Sequence, residues 1–143
     1  MARANTMADI TAGLADSTPD LSVIICNYRS AAIIQSCLAS LCGQDYPAER
    51  YDIVIIDDGS QDESAEIIQR FIEDRAGKHP KISYHRKENE GLSIARNDGI
   101  RRSRGAIITY IDDDAVADRQ FIIQVMASFR EHPEANCVGG RVD

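Results

Sequence analysis

Ala106-Ile-Ile-Thr-Tyr-Ile111, followed at once by Asp112-Asp113-Asp114, is the stretch of this sequence that decides the fold. Its apolar part is rich in β-branched residues and too short for a helix, so it predicts a buried strand that runs directly into three carboxylates. Residues 21–26 (LSVIIC) and 52–57 (DIVIID) have the same character, and each leads into polar residues. Strands that end in polar side chains therefore recur along the chain.

Helical patterns lie between these apolar runs. We expect helices over residues 31–42 and 91–103, helices that begin after the caps Asp62 and Asp118, a third strand over 81–85 and the start of a fifth over 136–139. On the 91–103 helix, Leu92, Ala95 and Ile100 are the expected apolar residues. Apolar strands that alternate with amphipathic helices predict an α/β fold, with a mainly parallel sheet covered by helices on both faces.

The composition is that of one globular domain. The chain has 143 residues, of which 43% are hydrophobic and 27% charged. We expect residues 1–20 to form a flexible lead-in and residues 21–143 to form the domain. The formal net charge of −7 disfavours nucleic acid as a partner, because that binding depends on basic groups.

Cellular location is predicted from the leader and the cysteines. The first 20 residues lack the basic start and hydrophobic run of a secretory signal. Cys26, Cys37, Cys42 and Cys137 form no CxxC pair. Cys26 and Cys37 lie among apolar residues, which favours a role as buried small hydrophobes over a redox or catalytic one, and this usage fits a reducing compartment. We therefore expect a cytoplasmic protein, with the inner face of the membrane as an alternative location for a full-length form.

The polar strand ends are expected to meet at one edge of the sheet. In parallel α/β sheets, ligands bind beyond the carboxyl ends of the strands. This rule selects residues 26–28, 57–60 and 112–114 as the candidate site. Residues 88–97 open a helix nearby, and a helix N-terminus attracts anions such as phosphate.

The run from Asp112 to Asp114 has two readings. Three adjacent carboxylates repel one another, and a divalent cation such as Mg²⁺ or Mn²⁺ would neutralise them and link them to a diphosphate. The alternative is a solvated acidic turn in which Asp114 or Asp118 caps the next helix. The position of the run after a buried strand, beside a second carboxylate pair, favours metal binding.

Three other side chains also have two readings each. Asp58 can accept a hydrogen bond from a base or a ribose, or belong to a turn that only shapes the chain. The Tyr28 ring can stack on a nucleobase or pack against the protein. Arg96 can reach a diphosphate oxygen or lie on a solvated helix face.

With these residues identified, the chain resembles the family-2 glycosyltransferases of the GT-A fold. The likeness covers about residues 20–143 and rests on five segments in order: LSVIICNYR from Leu21, CLASLCGQDYP from Cys37, YDIVIIDDGSQDES from Tyr51, ENEGLSIARNDGI from Glu88 and GAIITYIDDDA from Gly105. Each segment alone is weak, whereas the ordered set is highly specific.

The resemblance implies nucleotide contacts at four positions. Cys26 and Tyr28 stand where the family's first strand meets the nucleobase. Asp58 matches the second member of the family's Asp-Asp pair, on the uracil or ribose side, and Arg96 lies in the segment near the phosphates. Many members have Pro-Thr where this chain has Cys26-Asn27, which puts the details of base recognition in doubt.

The resemblance also assigns the acidic run to the family's DXD motif. It implies that Asp112 and Asp113 face the ribose and the diphosphate. Asp114, together with Asp112, is the implied ligand of Mg²⁺ or Mn²⁺. The donor is then a nucleotide-diphosphate sugar, most often linked to UDP.

For a complete enzyme, the resemblance implies transfer of the sugar to a hydroxyl of a saccharide or lipid-linked acceptor, with inversion. A carboxylate must act as general base, and no residue of this chain is a convincing candidate. We expect that group in an acceptor half beyond Asp143, so this chain alone should bind donor with weak or absent transfer. Strands meant to pair with that half would leave an open sheet edge, which predicts self-association.

Two other functional classes would require different sequence features. A dinucleotide-dependent oxidoreductase would carry GxGxxG after the first strand, and residues 26–31 contain no glycine. A non-catalytic module that binds a nucleotide sugar or another partner on the same fold stays open. Such a module would show no metal dependence.

Overall fold

The computed structural model describes residues 18–140, which form a four-stranded sheet and four α-helices. In chain order the elements are β1 (Leu21–Asn27), α1 (Ile34–Cys42), a 3-10 turn (Ala48–Arg50), β2 (Tyr51–Asp57), α2 (Ser64–Asp74), β3 (Lys81–Arg86), α3 (Leu92–Arg102), β4 (Ile107–Asp112) and α4 (Phe121–Glu131). The strand order is β3-β2-β1-β4, and every neighbouring pair is parallel. The predicted α/β class with a mainly parallel sheet is confirmed.

The register of the strands brings their carboxyl ends to one edge. Cys26 of β1 lies opposite Asp112 of β4, and Asn27 lies opposite Asp57 of β2. Asp57 in turn lies opposite Arg86 of β3. The polar segments that follow these strands therefore begin at the same level of the sheet.

The larger core lies between one face of the sheet and helices α1, α2 and α4. Alternate residues of the central strands point into it, because successive side chains of a strand face opposite ways. The fully buried members are Leu21, Val23, Ile25, Ile34, Leu38, Leu41, Ile53, Ile55, Ile68 and Ile122. This face supplies most of the apolar burial in the described chain.

Helix α3 covers the opposite face and packs through small residues. Its buried positions are Ala95 and Gly99, and Ala95 joins a small cluster with Ile24 of β1 and residues of β2. A Cβ added at Gly99 would lie 2.5 Å from Ile24 Cγ2, so glycine permits this close approach. The predicted coverage of both faces is confirmed, and the helix carries Leu92, Ala95 and Ile100 as expected, although Leu92 and Ile100 are 49% and 45% exposed.

Several predicted boundaries shift. Helix α1 begins at Ile34 rather than at residue 31, because residues 31–33 form a turn in which the Ala31 N–H donates to Asp62 Oδ2 at 3.1 Å. The fifth strand expected over residues 136–139 is wrong, since these residues adopt no strand conformation.

The lead-in predicted over residues 1–20 lies mostly outside the described residues. Its last members, Pro19 and Asp20, are buried and belong to the fold. Asp20 accepts hydrogen bonds from Tyr46 Oη at 2.6 Å and from Arg50. Within residues 18–140, none of the helices combines the length and the apolar character needed to cross a bilayer.

Among the glycines that the structure describes, Gly105 leaves the least room for a side chain. A Cβ there would lie 2.3 Å from Ser22 N and 2.6 Å from Leu21 C, which are main-chain atoms that cannot move without disturbing the start of β1. We expect Gly105→Ala to lower the free energy of unfolding by about 2–3 kcal/mol, as overpacking does. Urea denaturation followed by circular dichroism measures this, and Gly139→Ala, where a Cβ meets open space, should leave stability unchanged. Equal stability of the two variants would contradict the packing described for Gly105.

Candidate functional site

The predicted site residues converge around the end of β1. The Cys26 thiol is half-buried, and burial raises its pKa to about 11. The Arg96 guanidinium acts in the opposite direction, and Asp113, Asp58 and Asp112 add to the rise. One thiol therefore lies within electrostatic range of four side chains that come from three separate segments of the sequence. Their meeting at one edge is the arrangement expected from the strand ends.

The three aspartates after β4 have different environments. Asp112 and Asp114 are exposed, and neither carboxylate has a hydrogen bond or an ion pair with a described residue. Asp113 is half-buried, and its Oδ2 accepts the Tyr28 N–H at 3.0 Å. Burial raises the pKa of Asp113, although hydrogen bonds from Tyr28 and Ser30 oppose the rise. The middle aspartate thus braces the β1–α1 loop, while the carboxylates of its two neighbours have no hydrogen-bond donor among residues 18–140.

The carboxylates of Asp112 and Asp114 fit part of a metal site. No group of three or more His, Cys, Asp or Glu side chains within residues 18–140 is arranged to hold a metal ion. Mg²⁺ and Mn²⁺, however, prefer oxygen ligands, and Mg²⁺ is usually held by one or two carboxylates together with substrate phosphates and water. Two free carboxylates therefore suit an ion that would complete its coordination from a bound diphosphate.

Asp58 is the most heavily hydrogen-bonded side chain of the site. It is buried, and its two oxygens accept from the segment that we call the Lys87 loop, residues 87–91. Lys87 Nζ lies 3.1 Å from Oδ1, the Glu90 N–H donates to Oδ1 at 3.0 Å, and the Gly91 N–H donates to Oδ2 at 2.9 Å. Asn89 Nδ2 adds a contact at 3.2 Å. The predicted nucleotide contact of Asp58 stays a prediction. The structure shows in addition that Asp58 holds the Lys87 loop.

The electrostatics of Asp58 follow from those donors. Burial alone would raise the pKa of its carboxyl, but the hydrogen bonds from Glu90, Lys87 and Gly91 outweigh burial and hold the pKa below its usual 3.8. Two of the donors are backbone N–H groups at the start of α3. Asp58 is therefore an anion at this helix N-terminus, a position for which the sequence alone suggested a phosphate.

Gly59 makes this arrangement possible. Its φ is +79°, and a Cβ at this position would lie 2.9 Å from Asn89 N. Glycine thus allows both the left-handed turn after Asp58 and the close passage of the Lys87 loop.

A buried polar network supports the loops behind the site. Asp57 is fully buried and accepts hydrogen bonds from Tyr84 Oη at 2.5 Å and from the Ser60 N–H at 2.9 Å. Ser60 Oγ accepts from Asn27 Nδ2 at 3.1 Å and from the Arg29 N–H at 2.9 Å. Arg29 has a φ of +55°, a conformation that costs energy for a residue with a side chain. The network fixes the geometry of the loops after β1 and β2.

Tyr28 and Arg96 are available to a ligand. The Tyr28 side chain is 47% exposed, and the Arg29 guanidinium lies over its ring, 5.4 Å from the ring centroid. The Arg96 guanidinium lies 5.6 Å from the centroid of Tyr110. Arg96 has no carboxylate within 4.0 Å among the described residues. An exposed ring and an unpaired cation therefore stand on the same edge as two free carboxylates.

Sequence reasoning missed Lys87 and Asn89, which hold Asp58. A signal was present, since Lys87 follows β3 immediately and so stands at the carboxyl edge with the other polar residues. What the sequence could not show is that a lysine in this place pairs with a buried aspartate 29 residues earlier.

Residues 22–143 match the family model described as glycosyl transferase family 2. The chain belongs to this family. Among its relatives is the glycosyltransferase AglE of Haloferax volcanii, which is 33% identical over 91% of this chain and 41% of that protein. The glycosyltransferase GlyA of Streptococcus pneumoniae is 31% identical over 83% of this chain and 16% of that protein. The chain spans less than half the length of these curated relatives.

Solved structures of two glycosyltransferases share the fold. Residues 1–349 of Staphylococcus aureus TarS in complex with UDP-GlcNAc match with a TM-score of 0.69 and 25% identity, over 79% of this chain and 32% of that one. The mannosyltransferase PcManGT from Pyrobaculum calidifontis, in complex with GDP-Man and Mn²⁺, matches with a TM-score of 0.67 and 24% identity, over 88% of this chain and 37% of that one. The predicted GT-A fold is confirmed.

The contacts of Asp58 generate a stability prediction. Asp58→Asn places an amide N–H₂ where one carboxylate oxygen accepts hydrogen bonds. The new N–H₂ group then faces the donors of the Lys87 loop and cannot accept from them. We expect a loss of about 1–2 kcal/mol in the free energy of unfolding, together with faster amide exchange at Glu90 and Gly91. Asp98→Asn is the matched control, because Asp98 makes an exposed pair with Arg101, and it should change stability by less than about 0.5 kcal/mol. Unchanged amide exchange at Glu90 and Gly91 would show that the Asp58 carboxylate does not hold the Lys87 loop.

The lowered pKa of Asp58 also predicts a dependence on acid. A carboxyl whose pKa is depressed by folding contributes stability above its unfolded pKa and loses that contribution as the pH falls through its folded pKa. For Asp58 the loss should therefore lie below pH 3.8. Carbon-13 NMR of the side-chain carboxyls measures the titration, and an Asp58 midpoint above 3.8 would contradict the prediction.

Proposed function

We propose that this chain is the donor-binding part of a metal-dependent, inverting glycosyltransferase and that its donor is a UDP-linked sugar. The observation that carries the proposal is the pair of unpartnered carboxylates, Asp112 and Asp114, on the same sheet edge as the unpaired Arg96 and the exposed ring of Tyr28. An anionic diphosphate, a cation and a nucleobase are the groups that this set of side chains complements.

Family membership and the solved structures support the proposal. TarS has been crystallised with UDP-GlcNAc and with UDP, and it shares the sheet that carries these residues. The fold of PcManGT holds a nucleotide sugar together with Mn²⁺. Since this chain spans about a third of each of these structures, the activity of a whole enzyme is inferred for it rather than observed.

Each residue has a separate part in the proposed complex. The Tyr28 ring stacks on the base beside Cys26, and Arg96 donates to diphosphate oxygens. Asp112 and Asp114 would hold Mg²⁺ or Mn²⁺, which when bound offsets the charge on the departing nucleoside diphosphate. Asp113 holds the main chain of Tyr28, and Asp58 keeps the Lys87 loop in place beside the donor.

The proposed reaction needs an acceptor hydroxyl, from a saccharide or a lipid-linked acceptor, and a carboxylate that removes its proton. We assign no general base to this chain. Asp57, Asp58 and Asp113 are held by protein donors, while Asp112 and Asp114 are assigned to the metal. We therefore propose that the chain binds donor and transfers sugar weakly or not at all without further sequence.

We also propose a cytoplasmic location, or the inner face of the membrane for a full-length enzyme. The support is chemical: Cys26, Cys37, Cys42 and Cys137 are free thiols, which are typical of a reducing compartment. A fusion of the chain to a reporter that matures only in the cytoplasm would test this location.

Binding of UDP in the presence of Mn²⁺ tests the donor site. We expect calorimetry to show binding that weakens when Mn²⁺ is removed. Asp112→Asn and Asp114→Asn should each weaken Mn²⁺-dependent binding by at least about tenfold, because each removes a ligand charge. Asp74→Asn, at the far end of α2, is the matched control and should bind like the unaltered chain. Binding that ignores both Mn²⁺ and the Asp114 substitution would favour a non-catalytic module instead.

The open edge of β4 generates a further prediction. β4 has no strand partner beyond β1 among the described residues, and Tyr110 on it is 39% exposed. Such an edge can pair with a second chain, so we expect concentration-dependent self-association in sedimentation velocity. Tyr110→Lys should shift the chain toward the monomer, because a charged side chain discourages pairing at an edge strand. A strictly monomeric chain at every concentration would refute the prediction.

A further inference from the structure

A recess of about 470 Å³ lies apart from the strand-end site, on the α3 side of β2 and β3. Its lining comes from the amino end of β2, from most of β3, from the last residue of α3 and from Arg104. The side chains that matter for its chemistry are Asp52, Lys81, Ser83, His85, Arg102 and Arg104. None of them has a part in the donor site proposed above.

The charge of this recess is opposite to that of the chain. Lys81, Arg102 and Arg104 supply three cations against the single carboxylate of Asp52, whereas the chain as a whole carries −7. The Asp52 carboxylate already has two partners, since it accepts a hydrogen bond from Ser22 Oγ at 2.6 Å and lies 3.5 Å from Arg104 Nη2. Lys81 and Arg102 have no carboxylate within 4.0 Å in the described part of the chain. Positive charge in the recess is therefore left uncompensated.

His85 lies beside the positive charge of Arg102. Arg102 Nη1 lies 3.2 Å from His85 Nδ1. A guanidinium can only donate, so Nδ1 must be the acceptor and the proton of the neutral ring must be on Nε2. Burial lowers the pKa of His85, and the neighbouring Arg102 lowers it further. An anion seated beside both groups would relieve the repulsion between Arg102 and a protonated ring.

We propose that this recess binds a phosphoryl group, with Arg102 and Lys81 as its principal ligands. A guanidinium presents two parallel N–H donors that match two oxygens of a tetrahedral oxyanion, and the lysine adds a mobile point charge. The phosphoryl group belongs either to a soluble phosphorylated molecule or to the headgroup of an anionic lipid. The recess is then an anion site on the β3 side of the sheet, independent of donor binding at the strand ends.

The test combines two probes on the intact chain. Inorganic phosphate is titrated while ¹H–¹⁵N spectra are recorded, and co-sedimentation is measured with vesicles of phosphatidylcholine, with and without phosphatidylglycerol. We expect Arg102→Gln and Lys81→Gln each to weaken binding of the effective probe about fivefold or more, as the loss of a charge-assisted hydrogen bond does. Arg101→Gln is the matched control, because this neighbouring arginine pairs with Asp98 at 2.7 Å and does not line the recess.

The outcomes separate the two sources. Phosphate shifts centred on His85 and Arg102 that vanish in Arg102→Gln support a soluble ligand. Binding only to phosphatidylglycerol vesicles, with the same dependence on Arg102 and Lys81, supports a lipid headgroup. The proposal is overturned if neither probe binds, if Arg101→Gln weakens binding as much as Arg102→Gln, or if phosphate shifts are confined to Tyr28 and Arg96. Thermal unfolding of every variant shows that lost binding is not lost folding.

A pH series with sulfate gives a readout that a merely structural role would not move. Sulfate keeps its charge across the range, so any change must come from the protein. The charged groups that share the recess with His85 are Arg102 of α3, Arg104, Asp52 of β2 and Lys81 of β3. Because a bound anion favours the protonated ring, sulfate should bind more tightly at about pH 6 than at about pH 8. His85→Gln should abolish that difference, and its persistence would overturn the part assigned to His85.

Discussion

The burial of the Asp58 carboxylate is the constraint on which the rest of the site depends. A carboxylate removed from water must be met by donors, or it loses its charge. Here all the donors come from the Lys87 loop, which leads into α3, so one buried charge links the end of β2 to the segment after β3. Gly59 permits this contact because no side chain stands between the two loops. These contacts hold the segment that leads into α3, the helix that carries Arg96.

The two faces of the sheet are packed by different means, and this difference shapes the surface. The larger core uses long aliphatic side chains from three helices, whereas α3 lies close to the sheet on Ala95 and Gly99. Close packing through small residues leaves the larger apolar residues of α3 outside the core. It also leaves the outer part of β2 and β3 uncovered, where basic side chains line the recess that we propose as an anion site. One helix therefore separates two regions of distinct chemistry.

The three aspartates after β4 show how neighbouring residues acquire different parts. Successive residues of a strand face opposite sides, and Asp112 is the last residue of β4. Asp113 falls where the β1–α1 loop offers the N–H of Tyr28, while Asp112 and Asp114 have no described donor. The donor site proposed above would use this division, because it requires free carboxylates for a metal and a firmly held loop for the base. The brace formed by Asp113 connects the two requirements.

The sequence by itself determined the α/β class, the parallel sheet, the polar strand ends at one edge and the family, because each depends on local periodicity or on ordered motifs. It also predicted that Asp58, Arg96 and the acidic run meet at that edge. Only the tertiary structure decided that the Lys87 loop donates to Asp58 and that Asp113 accepts the N–H of Tyr28. It also decided that Leu92 and Ile100 stay outside the core. These facts depend on partners that lie tens of residues away or on how closely a helix approaches the sheet. A local sequence pattern indicates neither distant hydrogen-bond partners nor packing distances, because both are set only when the whole chain is folded.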